Sequence, residues 1–298
     1  MKKKLSYILI GLLMTTLFIG CNGGKFMEEE NSKGKISVTV SIEPLREFAE
    51  IVGGDKVSVK TMVPQGTEPH DFEPKTQDLI ELNKSKVFVY NGLGMEHWID
   101  QVLNTIENKE LKVVDASKGC DVLKEGDKID PHLWLSLEGA KVEARNIKDA
   151  LVSVDSSNKD YYEENFNKFS KELDSLKGEY IEKFNRLENK DFVTGHAAFG
   201  YLCREFSLKQ ISVENLFGEG EITPQKMQDI VKFCKENNIK TVFMPELSSE
   251  KISQTLAKEI GGKIEKIYTI ESKEDDLTYL QAMRENLSKI YEALSSQK

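Results

Sequence analysis

From Ile36 onward, short apolar runs alternate with stretches whose apolar positions recur every three or four residues. Val38–Ile42, Val57–Val63, Val87–Tyr90 and Leu111–Asp115 have the length and β-branched content of strands. Between them the periodicity predicts helices at Pro44–Ile51, Thr76–Lys84, Met95–Ile106 and Glu138–Val154, the first stopped by Gly53-Gly54. Strands that alternate with helices in this way predict a mostly parallel sheet covered on both faces.

The pattern changes between Asn158 and Asn189. Tyr161, Tyr162, Phe166, Phe169, Leu173, Leu176, Tyr180, Ile181 and Phe184 form one apolar stripe in an otherwise polar stretch. The heptad is poor and rich in aromatics, so a single long helix of roughly 48 Å is expected rather than a coiled coil. Gly178 weakens it by about 1 kcal/mol. The alternation then restarts, with strands predicted at Phe192–Thr194, Gln210–Val213, Thr241–Met244 and Ile264–Ile270. Helices are predicted at Ala198–Phe206, from Thr223-Pro224 to Asn237, at Ser249–Ile260 and at Leu277–Leu294. The fold class that follows is α/β: two mostly parallel-sheet lobes, 35–157 and 191–298, joined by one long helix within 158–190. A ligand site is expected in the cleft between them, and the rod should restrict opening to a small tilt.

The first twenty residues are set apart. Lys2, Lys3 and Lys4 precede an apolar run from Leu5 to Ile19, which fits a signal peptide over 1–20. Gly20-Cys21 follows, and Cys21 is the expected lipidation site, with 21–34 a polar tether. The expected location is therefore extracytoplasmic, anchored to the cell membrane through lipid. The chain carries 41 basic and 50 acidic residues, and loss of the three lysines takes the formal charge from −9 to −12. Such a balance argues against nucleic acid as a partner. Cys120, Cys203 and Cys234 have no metal-type spacing, so no disulfide framework is expected; Cys203 and Cys234 read as small buried helix residues.

Candidate chemistry rests on the four histidines. His70, His132 and His196 each sit in a compact turn after a predicted strand, in Glu-Pro-His, Asp-Pro-His and Gly-His-Ala-Ala-Phe. Ligands of open α/β sheets lie past the carboxyl ends of strands, and imidazole suits zinc, copper, nickel and iron. A fourth ligand is expected from Glu271, after the last strand. Glu246, after Thr241–Met244, is the rival, or orients a ligand histidine through a hydrogen bond. Three imidazoles and one carboxylate make a tetrahedral N3O set. His97, beside Trp98, is expected to pack or to line the rim. Imidazole titrates near pH 6.5, so affinity is expected to fall steeply below about pH 6.

The stretches Met62-Val63-Pro64-Gln65-Gly66-Thr67-Glu68-Pro69-His70-Asp71-Phe72-Glu73-Pro74 and Asn91-Gly92-Leu93-Gly94-Met95-Glu96 resemble a known family. Asp130-Pro131-His132-Leu133-Trp134-Leu135-Ser136, His196-Ala197-Ala198-Phe199-Gly200-Tyr201, Met283 and Asn286 extend the likeness. The family is the zinc and manganese solute-binding lipoproteins of bacterial ABC importers, and the resemblance spans 35–298. It implies ligand roles for His70, His132 and His196. A histidine at the third place resembles the zinc-type set, since manganese-type members often carry Glu there. The family's fourth ligand is usually Asp, so Glu271 takes that place with the loop shifted by one residue. Residues 116–129 lack the His-rich loop common in zinc-type members. The implied function is capture of zinc, with manganese or iron as the alternative cargo, and delivery to the transmembrane subunits of an ABC permease by a monomeric, non-enzymatic protein. Two other readings are a lipid-anchored metal-dependent hydrolase and a surface adhesin; neither a His-Glu-x-x-His nor a Gly-x-Ser-x-Gly run supports the first.

Overall fold

Two four-stranded, all-parallel sheets organise the chain. In the computed structural model, which describes residues 34–217, 223–247 and 250–297, the first sheet comprises β1 (Ile36–Val40), β2 (Val57–Thr61), β3 (Val87–Tyr90) and β4 (Lys112–Asp115) in the order β2-β1-β3-β4. Helices α1 (Glu43–Gly53), α2 (Thr76–Leu82), α3 (Ile99–Thr105) and α4 (Leu137–Val154) belong to this half. The small antiparallel hairpin β5 (Lys124–Glu125) and β6 (Lys128–Ile129) precedes α4. The long helix α5 (Lys159–Asn185) then leads to β7 (Asp191–Thr194), α6 (Gly200–Phe206) and β8 (Lys209–Ser212). The chain closes with α7 (Pro224–Glu236), β9 (Thr241–Met244), α8 (Glu250–Glu259), β10 (Lys263–Lys266) and α9 (Tyr279–Ser295). The second sheet has the order β10-β9-β7-β8.

The long helix runs for 27 residues, about 40 Å at 1.5 Å per residue. It is shorter than the stripe suggested because the ends, at 158 and beyond 185, leave the helical path. Its buried positions are Tyr162, Phe169, Leu173, Leu176, Tyr180 and Phe184, one face at helical spacing. Phe169 meets Phe48 of α1 and Tyr279 of α9, with ring centroids 5.6 and 6.2 Å apart. The rod therefore packs against elements of both halves. Gly178 meets no atom within 4 Å of where a Cβ would stand, so its cost is intrinsic propensity alone.

The second sheet separates two apolar clusters by the two-residue period of strands. Phe192 of β7 and Phe243 of β9 face the large core shared with the first sheet and α5. Val193 and Val242 face a smaller cluster under α7 and α8, with Ile230, Cys234 and Leu256. Cys203 and Cys234 are buried free thiols, as their helical setting suggested, and Cys120 is half-buried and free.

Two expected elements differ most, and one was not foreseen. Residues 95–98 are not the start of a helix: Gly92, Leu93 and Gly94, just before them, all have positive φ, and α3 begins only at Ile99. The last strand ends at Lys266 rather than at Ile270, and Ile270 takes φ +60, a costly conformation for a β-branched residue. The hairpin at 124–129 was missed because its two-residue strands, Lys124-Glu125 and Lys128-Ile129, are exposed and too short to carry an alternation. Its turn is Gly126-Asp127, with Gly126 at φ +62, as two-residue hairpin loops demand. No helix among the described residues is long and apolar enough to cross a membrane. The expected signal peptide (1–20), Cys21 and the tether up to residue 33 lie outside the described residues.

Candidate metal centre

Four segments deliver four side chains to one point between the lobes. His70 lies in a single helical turn, Pro69–Asp71, which follows β2. Pro69 presets the first dihedral of that turn, and the Glu68 carboxylate caps it by accepting from the His70 backbone N–H at 3.2 Å. His132 opens the turn Leu133–Leu135, after Pro131. His196 comes two residues after β7; its carbonyl accepts from Thr194 Oγ1 and from Gln210 Nε2, each at 2.7 Å. Glu271 follows the strained Ile270.

Nε2 of His132 stands 3.2 Å from Nε2 of His70 and 3.1 Å from Nε2 of His196. It is 3.8 Å from Glu271 Oε1. One ligand atom from each of the four lies within 4.8 Å of every other. Tetrahedral zinc with nitrogen ligands has donor–donor edges of about 3.3 Å, given Zn–N lengths of roughly 2.0–2.1 Å. The two imidazole pairs that involve His132 already stand near that separation, and the others lie within 4.8 Å. The donors are well shielded: His132 is fully buried, and His70 is the most accessible at 8%.

The hydrogen bonds around the donors aim them. His132 Nδ1 is 2.9 Å from Asp130 Oδ1, an oxygen that also accepts from the His132 backbone N–H at 2.9 Å. With the Nδ1 proton donated to Asp130, the Nε2 lone pair faces the point of convergence. Thr269 Oγ1 donates to Glu271 Oε2 at 2.7 Å. Among the described residues Oε1 of Glu271 is buried and lacks a hydrogen-bond partner, as a carboxylate oxygen reserved for a cation would be. The Nδ1 of His70 is likewise without one.

Burial dominates the electrostatics. It pushes His70 down to about 2, helped by the neighbouring His132 and His196, and it pushes His132 and His196 down to about 3. Burial pushes Glu271 up to about 8, reinforced by Glu68, and Asp130 up to about 7. The three imidazoles are therefore neutral at any physiological pH, which is the form that binds metals.

The other candidates lie outside this group. Glu246 is exposed and sits with Glu274 and Lys266, away from the four converging side chains, and the carboxylate bonded to His132 is that of Asp130. Asp130 was legible only as a neighbouring charge; the signal for its role was its place two residues before a histidine with proline between. His97 is half exposed and pairs with Glu73 Oε1 at 2.8 Å, a rim position.

Residues 38–293 match the model of the family described as zinc-uptake complex component A, periplasmic. The chain belongs to that family. A putative metal-binding protein of Treponema pallidum (strain Nichols) is 38% identical over 279 residues, covering 88% of each chain. The high-affinity zinc uptake system protein ZnuA of Bacillus subtilis (strain 168) is 32% identical over 315 residues, 99% of each chain. Manganese transport lipoproteins of streptococci also match. Among solved structures, the laminin-binding protein Lmb of Streptococcus agalactiae, described as bifunctional with adhesin and metal-transporting activity, superposes with a TM-score of 0.82 at 32% identity. That match covers 87% of this chain and 99% of Lmb. The zinc-uptake family comprises substrate-binding components of transporters, in keeping with two parallel-sheet lobes and one connecting helix.

Proposed function

We propose that this chain captures a divalent metal ion, zinc in preference to manganese, and delivers it to an ABC-type permease. His70 and His132 of the first lobe and His196 and Glu271 of the second are the ligands, and the ion is cargo. What carries the reading is the convergence of three neutral imidazoles and one unpartnered carboxylate oxygen within 4.8 Å. Manganese favours more oxygen donors, whereas zinc accepts an N3O set readily. Four protein donors saturate a tetrahedral zinc, while hydrolytic zinc keeps a position for water, so the donor set favours cargo binding over hydrolysis. Residues 1–20 act as a removable leader, Cys21 carries lipid, and 21–34 tether a monomeric body to the outer face of the membrane. Metal analysis of protein purified without added metal, followed by zinc–manganese competition, tests the reading; preferential retention of manganese would reverse the choice of cargo.

Asp130→Asn is expected to lower zinc affinity about 10- to 100-fold, the usual cost of losing a carboxylate behind a ligand histidine. Chelator competition measures it, and parental affinity would mean that packing alone orients His132.

The pH dependence expected from free imidazole is revised by burial. The histidines bind protons only near pH 2–3, whereas Glu271 does so below about 8 and Asp130 below about 7. Zinc requires Glu271 ionised, and ionised Asp130 best accepts the His132 proton. Affinity therefore rises with pH up to about 8 and declines below it, by one proton and then two, rather than collapsing at pH 6. Calorimetry at pH 7 in buffers of different ionisation enthalpy should count roughly one to two protons released per zinc. A count of zero, or of three, would contradict this charge assignment.

A further inference from the structure

The four ligand-bearing segments are tied in pairs across the lobes by contacts that use no ligand atom. Gln65 lies in the loop that carries His70. Its Nε2 donates to the Lys273 carbonyl at 2.6 Å, and its Oε1 accepts from the Lys273 backbone N–H at 3.1 Å. A glutamine amide offers one donor edge and one acceptor edge, so it pairs with a peptide unit as a neighbouring strand would. The Gly66 N–H adds a bond to Ser272 Oγ at 2.8 Å. Ser272 and Lys273 directly follow Glu271, so this clasp joins the His70 loop to the Glu271 loop.

Tyr201 makes the second clasp. It stands in α6, five residues after His196. Its hydroxyl donates to the Asp130 carbonyl at 3.0 Å and accepts from the Leu123 N–H at 3.1 Å. A Cβ on the preceding residue, Gly200, would lie 2.5 Å from Asp130 Oδ2, so the close approach of this helix to the His132 loop requires glycine. The second clasp joins the His132 loop to the His196 segment.

We propose that Gln65 and Tyr201 are positioning residues, two clasps that hold the ligand pairs of the lobes in register and set how fast a bound ion leaves. This rests on the ligand assignment made above. Each lobe supplies two donors, and ions held by one lobe alone dissociate readily; retention depends on the second pair staying within reach. Gln65 is exposed, so its side chain adds little to the core. Both residues fall in the stretches Pro64–Pro74 and His196–Tyr201, where ligation explains the histidines only.

The test is zinc release into excess chelator, followed by stopped flow, for the parent protein, Gln65→Ala, Tyr201→Phe, the double variant and His132→Ala. Release from each clasp variant should be about 10-fold faster at an unchanged association rate, since affinity changes of this kind fall on dissociation. The double variant should exceed either single one, and the metal-free melting temperature of Gln65→Ala should stay at the parental value. Parental release rates in both clasp variants, with zinc lost from His132→Ala, would overturn the clasps and leave the ligand assignment standing. Undiminished zinc binding by His132→Ala would instead refute the ligand assignment. Faster release matched by a lower metal-free melting temperature in Gln65→Ala would also overturn the proposal, because the residue would then be supporting the fold.

Discussion

His132→Ala is expected to reduce zinc affinity by about 100- to 1,000-fold. Four-ligand zinc sites bind with roughly 10–16 kcal/mol, so an average ligand is worth roughly 2.5–4 kcal/mol, and each 1.4 kcal/mol is about tenfold. His132 should lie at the upper end of that range. Its Nε2 lies within 4 Å of a donor atom from each of the other three residues, and its ring is oriented by Asp130. Removing its ring takes away the central donor and leaves Asp130 Oδ1 with the backbone N–H of residue 132. The effect should exceed that of His70→Ala, whose ring stands at the accessible edge beside Phe217, 5.3 Å between centroids. Competition against a chromogenic chelator measures both variants. Equal, small losses would mean that the ion is held elsewhere.

Zinc should raise the melting temperature by about 8–16 °C when present at a thousandfold excess over its dissociation constant. Such an excess contributes about 4 kcal/mol to the folded state, and each kcal/mol moves a chain of this size by roughly 2–4 °C. The proposed ligands come from 70, 132, 196 and 271, so a bound ion would link the second sheet and the segment before α9 to the first sheet. At the same zinc concentration the gain should shrink to about 1–6 °C in His132→Ala, and it should vanish in the presence of excess chelator. A calorimetric scan in which zinc leaves the parental melting temperature unchanged would exclude an ion that bridges the lobes.

The alternation of apolar runs and amphipathic stretches was enough to recover both sheets, because a strand buried on two faces has to be continuously apolar. Val87–Tyr90 and Thr241–Met244 were read to the residue. The stripe from Tyr162 to Phe184 was equally plain, since its polar surroundings leave one face to bury. Failures came where backbone geometry, rather than burial, sets the path. The three positive-φ residues at 92–94 delay α3, held there by the Glu96 carboxylate, which accepts from the Asn91 and Gly92 N–H groups at 2.7 and 3.0 Å. The strand ending at Lys266 leaves Glu271 on an irregular segment that alternation cannot register.

Local sequence thus determined the parallel α/β architecture, the connecting helix and the three proline- or strand-anchored histidines, because each depends on neighbours a few residues away. Tertiary structure alone brought Glu271 rather than Glu246 to the three imidazoles, gave Asp130 its hydrogen bond to His132, and shielded the imidazoles enough to move their titration from near neutrality to about pH 2–3. Those outcomes depend on which residues, up to two hundred positions apart, share a volume from which water is excluded, and burial of that kind outweighs the intrinsic chemistry of a side chain.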